Sequence, residues 1–182
     1  MGAAGLSGAR TAGHLARRFL GSLRPGGPPA PDEEWARQRL LPGERELWDR
    51  MPGADRRHAV GVARAVAGTL GSGATPAVLA AALLHDVGKI ESGLGVWGRV
   101  GATVAGMAGG RSRAEGWAGR ADLVGRVGRY VRHPQLGGAL LTEAGSERLT
   151  VAWAESHHLP SERWDPAVPP DVGAVLKACD DD

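Results

Sequence analysis

The sequence predicts an all-α chain, a bundle of about seven to nine helices. Three observations predict it. Every stretch with apolar periodicity repeats at helical spacing, as Val60, Ala63, Val66 and Ala67 do. No stretch alternates β-branched with polar residues over a strand's length. Proline and glycine interrupt the pattern often enough to leave only short connections between helices.

The elements follow in order. Residues 1 to about 13 are Gly, Ala and Ser without periodicity and read as disordered. His14 to Leu23 places Leu15, Phe19, Leu20 and Leu23 on one helical face. It reads as a docking helix, with a membrane-surface or partner-binding role as the alternative. Pro25 to Pro31 is a Pro/Gly linker, so residues 1–31 stand apart from a helical domain over 32–182. Asp32 is the expected N-cap of a helix reaching Leu41, where Pro42-Gly43 stops it, and Glu44 to Arg50 is a further short helix. Pro52-Gly53-Ala54-Asp55 is a turn with a capping Asp, and Arg56 to Leu70 follows as a helix. Thr75-Pro76 opens the next, with Thr as N-cap and Pro in the first turn, and it ends at His85-Asp86. Leu94 to Met107 and Arg113 to Arg132 are helical in pattern though rich in glycine, and His133-Pro134 breaks the second. Pro134 to Leu141, Glu147 to His158 and Pro170 to Asp180 complete the set. No internal repeat is present.

Composition excludes several functions. The 182 residues carry a net charge of +2 and a pI of about 9.2, without a basic stripe or a reading motif for nucleic acid. Twenty arginines against two lysines suggest a GC-rich coding sequence, yet one of those lysines is Lys89. The single cysteine, Cys179, rules out an internal disulfide and fits a reducing cytoplasm. Neither a signal peptide nor a transmembrane segment is expected. The sequence sets no oligomeric state.

The chemistry gathers around Ala80 to Lys89. An apolar run, Val78 to Leu84, delivers His85 and Asp86 side by side, and Gly88 and Lys89 follow. An imidazole beside a carboxylate at the end of a buried helix is costly unless something pairs both groups, and a divalent metal does so. Further candidates lie near helix ends: His58, His133, His157, His158 and Asp180, leaving out only His14. Singly each has a plainer reading. His58 can be a surface or satisfied core histidine, His133 a cap, and Asp180 part of a solvated acidic tail with Asp181 and Asp182. Together they form a nitrogen and oxygen ligand set for a transition metal.

The order His58, His85-Asp86, Asp180 resembles that of the HD-domain superfamily of metal-dependent phosphohydrolases. His85-Asp86-Val87-Gly88-Lys89 is similar to the family's His-Asp-Ile-Gly-Lys motif. His133-Pro134-Gln135-Leu136-Gly137 resembles the His-Pro-x-x-Gly element of its two-metal branch, which includes the HD-GYP cyclic-dinucleotide phosphodiesterases, and His157-His158 resembles that branch's His-His pair. The resemblance spans residues 55–182 and implies an HD-type helical bundle. It implies one ion held by His58, His85, Asp86 and Asp180, and a second held by Asp86, His133, His157 and His158. Asp86 would bridge, and Lys89 would contact the attacking hydroxide or a phosphate oxygen. Leu159-Pro160-Ser161-Glu162-Arg163-Trp164 stands where the Gly-Tyr-Pro signature would be, so the resemblance does not specify a cyclic dinucleotide as the substrate of this phosphohydrolase or phosphodiesterase.

The expected activity is hydrolysis of a nucleotide or another small phosphate ester by metal-activated hydroxide. Fe or Mn are the favoured ions, with Zn, Ni and Co possible. Arg126, Arg129 and Arg132 could hold substrate phosphates, although a solvated helix face is the simpler reading for them. Two alternatives stay open: a one-metal nucleotidase using His58, His85, Asp86 and Asp180, and a non-catalytic metal-bearing binding or regulatory module.

Overall fold

A computed structural model describes residues 26–95, 98 and 116–181. The helix expected at His14–Leu23 lies outside them, as does that at Leu94–Met107 apart from Leu94, Gly95 and Gly98. The described residues contain eight α-helices and no strand, so the all-α class holds. They are α1 (Ala30–Arg37), α2 (Pro42–Arg50), α3 (Gly53–Leu70), α4 (Pro76–Leu84), α5 (Leu123–Val131), α6 (His133–Glu143), α7 (Arg148–Ser156) and α8 (Pro170–Asp181). Three 3-10 turns join them, at Gly71–Gly73, Val87–Ser92 and Ser161–Arg163. None of the described helices is long and apolar enough to cross a membrane.

Helix starts differ from the sequence expectation in one consistent way: proline begins helices here more often than it ends them. α1 starts at Ala30 behind Pro29, with Pro31 in its first turn, so Asp32 is an internal first-turn acid and not the N-cap. Pro42, expected to stop a helix, opens α2, where the Glu44 carboxylate accepts from the Leu41 N–H at 2.8 Å. α3 starts at Gly53, three residues ahead of the expected Arg56, which leaves Asp55 within its first turn. α4 follows expectation, with Thr75 Oγ1 accepting from the Val78 N–H at 3.4 Å. α5 is shorter than the expected Arg113–Arg132 helix, because Asp122 caps it by accepting from the Gly125 N–H at 3.0 Å. Residues 116–119 before it form a turn.

The core is built around α4. Every residue from Ala77 to Leu84 is buried, so this helix is apolar on all sides and surrounded by others. It packs against α3 and α7, α3 also meets α8, and α7 also meets α6. Thr150 on α7 donates to the Ala77 carbonyl at 3.1 Å, giving a buried hydroxyl its partner and pinning α7 to the start of α4. Trp48 and Trp153 are the largest fully buried side chains, and Trp48 donates Nε1–H to Glu33 at 2.6 Å. The consequence for function is that the C-terminal ends of α4 and α7 lie close together, with the Val87–Ser92 turn packed against α5 and α6.

Candidate metal centre

Three histidines owe their orientation to helix ends. The last carbonyls of an α-helix have no partner within it. His85 follows α4 and bonds Nδ1 to the Ala82 carbonyl at 2.9 Å. His157 follows α7 and bonds Nδ1 to the Ala154 carbonyl at 2.9 Å. His133 opens α6 just beyond α5 and bonds Nδ1 to the Tyr130 carbonyl at 2.7 Å. A carbonyl only accepts, so Nδ1 is the donor in each ring and Nε2 is turned inward. One local rule, a histidine three residues beyond a helix-end carbonyl that it bonds, is used three times.

These Nε2 atoms converge on Asp86, which sits between α4 and the Val87–Ser92 turn. Asp86 Oδ1 lies 3.3 Å from His133 Nε2 and 3.7 Å from His157 Nε2. Asp86 Oδ2 lies 3.3 Å from His85 Nε2 and forms a close ion pair with the Lys89 ammonium. His158 Nε2 lies 3.2 Å from His133 Nε2. Asp86, His133, His157 and His158 thus form one group of four whose ligand atoms all lie within 4.8 Å of one another. A second group meets the same criterion: His58 from α3, His85, and Asp180 from the last turn of α8. Asp180 Oδ1 lies 3.0 Å from His58 Nε2 and 3.5 Å from His85 Nε2. Buried His and Asp groups therefore could hold a metal ion.

Burial and charge fit that chemistry. His157 has no exposed surface, and His85, Asp86, His133 and Asp180 are all buried. His85 Nε2, His157 Nε2 and Asp86 Oδ1 are buried without any hydrogen bond. Such orphaned polar atoms are rare, and an ion held by either group could give them a partner. Burial alone disfavours a charged His85, but the carboxylates of Asp86 and Asp180 outweigh it and raise its pKa to about 9. Burial likewise opposes ionisation of Asp86, yet Lys89 and His85 hold its pKa well below the ordinary carboxylate value. Asp180 is held low, against burial, by His85 and His58. His133 is pushed down by burial, which outweighs the pull of Asp86. His158 is driven down by desolvation and by its neighbours His157 and His133, but the residue is exposed, so the neighbours are the more durable cause.

Glycines let the two halves of the first group meet. A Cβ on Gly88 would overlap the His133 carbonyl oxygen and lie 2.5 Å from Gly137 N, and one on Gly137 would lie 3.2 Å from Gly88 N. The backbone after Asp86 therefore runs against the start of α6, bringing His133 to Asp86. Arginines lock the same turn from its other side. Arg126 Nε donates to the Ser92 carbonyl at 3.1 Å, and Arg129 donates to the carbonyls of Glu91, Ala118 and Arg120 at 3.0 to 3.1 Å. Arg129, a candidate phosphate ligand from the sequence, is thus engaged with backbone, while Arg132 is exposed at the end of α5.

The structure brings together all seven candidate ligands and Lys89. Sequence reasoning missed the positioning glycines and Tyr130, whose ring lies 5.8 Å from that of His133 and whose carbonyl holds it. The spacing of Gly88 and Gly137 behind His85-Asp86 and His133-Pro134 was the available signal. No family model, no curated protein and no solved structure matches the chain.

Proposed function

We propose that this chain is a metal-dependent phosphohydrolase of the HD-domain type, acting on a nucleotide or another small phosphate ester. The observation that carries the reading is the convergence of His85 Nε2, His157 Nε2 and Asp86 Oδ1, buried and without hydrogen bonds, within a cluster of five histidines and two aspartates. Asp86, His133, His157 and His158 would hold one ion; His58, His85 and Asp180 would hold another, with Asp86 within reach of both. Imidazole mixed with carboxylate suits first-row transition ions, and we propose Fe or Mn, with Zn, Ni and Co as the alternatives. Bound ions of this kind acidify a water and offset charge on phosphoryl oxygens.

The chain's own residues supply the rest. The Nδ1 bonds to Ala82, Tyr130 and Ala154 keep three Nε2 atoms aimed without further ordering. Lys89 is 16% exposed and carries a positive charge at the edge of the cluster, where a phosphoryl oxygen can meet it. His158, the exposed member of the group of four, would contact an entering substrate or the ion of that group.

The test is metal content per chain by elemental analysis, together with hydrolysis of an aryl phosphodiester and a panel of nucleotides. Bound transition metal with turnover is the expected result, and metal-loaded protein inert toward every phosphate ester would sink the reading. A one-metal nucleotidase is the second reading, because His58, His85 and Asp180 already make a ligand trio alone. His133→Ala and His158→Ala separate the two: the one-metal form keeps its metal content and activity, and the two-metal form loses an ion and most of its activity.

A further inference from the structure

The two oxygens of Asp86 have different partners. Oδ1 faces His133 and His157, within the group of four. Oδ2 faces His85 at 3.3 Å and pairs closely with the Lys89 ammonium. Oδ2 is therefore the atom through which Asp86 can reach an ion held by His58, His85 and Asp180, and it already has a cationic partner.

We propose that Lys89 gates the second ion: its ammonium and a divalent cation compete for Asp86 Oδ2, so the ion joins the His58–His85–Asp180 group through Asp86 only when Lys89 turns away. The inference rests on the two-group reading above and adds to it a control on loading. Two cations about 5 Å apart at an effective dielectric of about 20 repel strongly enough to weaken binding by ~100-fold or more. Lys89 has the means to leave. Its side chain is partly exposed at 16%, and its ammonium ends a flexible four-carbon stem. Its backbone stays in place, with its N–H on the Asp86 carbonyl at 3.0 Å and its own carbonyl accepting from Ser92 Oγ at 2.7 Å. An ammonium turned away from Asp86 then needs another anion, and a substrate phosphoryl group provides one. Second-ion loading and phosphate binding are thereby linked.

The experiment is calorimetric titration of metal-free protein with Mn²⁺, comparing wild type with Lys89→Met. Wild type is expected to show a tighter and a weaker event, and the weaker one is assigned by its loss in His58→Ala. In Lys89→Met the weaker event tightens at least tenfold while the tighter one moves little. An unchanged or weakened second event in Lys89→Met overturns the gate. Should Lys89→Met fail to fold, Lys89→Gln keeps a hydrogen-bond donor for Asp86 without the charge and carries the same expectation. Failure of the phosphohydrolase reading is seen separately, as metal-loaded wild type without hydrolysis. Failure of the metal reading is seen in wild type alone, as no binding event.

Discussion

His85 is the buried histidine at which a proton would compete with an ion held by the candidate centre. Its pKa is raised to about 9, above an unfolded value near 6.5, because Asp86 and Asp180 face it. A group with a raised folded pKa contributes stability that is whole below about pH 6.5 and is lost as pH rises through about 9. The metal-free protein should therefore lose stability over that window, by up to ~1.4 kcal/mol per pH unit. His133 and His158, whose pKa values are lowered, act in the opposite sense only below about pH 6.5 and leave the window to His85. A bound ion takes the Nε2 lone pair and expels the proton, so the metal-loaded protein should show no such decline. Urea unfolding at pH 7 and pH 9, with chelator and with metal, checks this; parallel behaviour of the two forms would contradict it. The candidate ligands were legible in the sequence, since His85-Asp86 and His157-His158 are unusual pairs, and the structure brings them into groups that could hold a metal ion. The sequence did not show that Lys89 and His85 share one oxygen of Asp86, or that Arg129 is engaged with three carbonyls. The Arg129 contacts reach segments up to 38 residues away, and the His85 and Lys89 contacts, though local, depend on the turn geometry at Asp86, which residue identity alone does not set.

The decisive element is the turn Val87–Ser92, too short and too irregular to be read from periodicity. Its role depends on Gly88 lying against the first turn of α6. Gly88→Ala puts a methyl group into the His133 carbonyl, which is backbone and cannot rotate aside. The variant is expected to lose about 1–3 kcal/mol of stability and to separate His133 from Asp86. Its metal content should fall while its helical circular dichroism remains near wild type. Full metal occupancy in a folded Gly88→Ala protein would show that the close approach is not needed. Helix existence was legible wherever spacing was regular, and helix starts were less so. The sequence pattern makes Pro42 a stop and Pro52 a turn, whereas the structure uses them in the first turn of α2 and just ahead of α3. A missing N–H costs nothing at a helix start, so the same residue serves either purpose, and tertiary packing decides which.

Across the whole molecule, the candidate centre joins parts of the chain that are far apart. His58 and Asp180 are 122 positions apart in sequence, yet their ligand atoms lie 3.0 Å from each other. The all-α class needs only local patterns and was legible for that reason. The meeting of α3 with α8 depends on the core around α4, and only the order of the motifs hinted at it. Long-range closures of this kind tend to form late in folding, after local helices and their nearest neighbours. Contacts absent from the transition state act on the unfolding rate and scarcely on the folding rate. The bound ion is therefore expected to behave as a kinetic lock. Stopped-flow measurements with and without Mn²⁺ should show unfolding slowed about tenfold for each ~1.4 kcal/mol that the ion adds, with folding nearly unchanged. Equal acceleration of folding would place the ligands together in the transition state instead. With the lock in place, the lifetime of the folded chain is set by how fast the ion leaves, so chelator should shorten survival under protease.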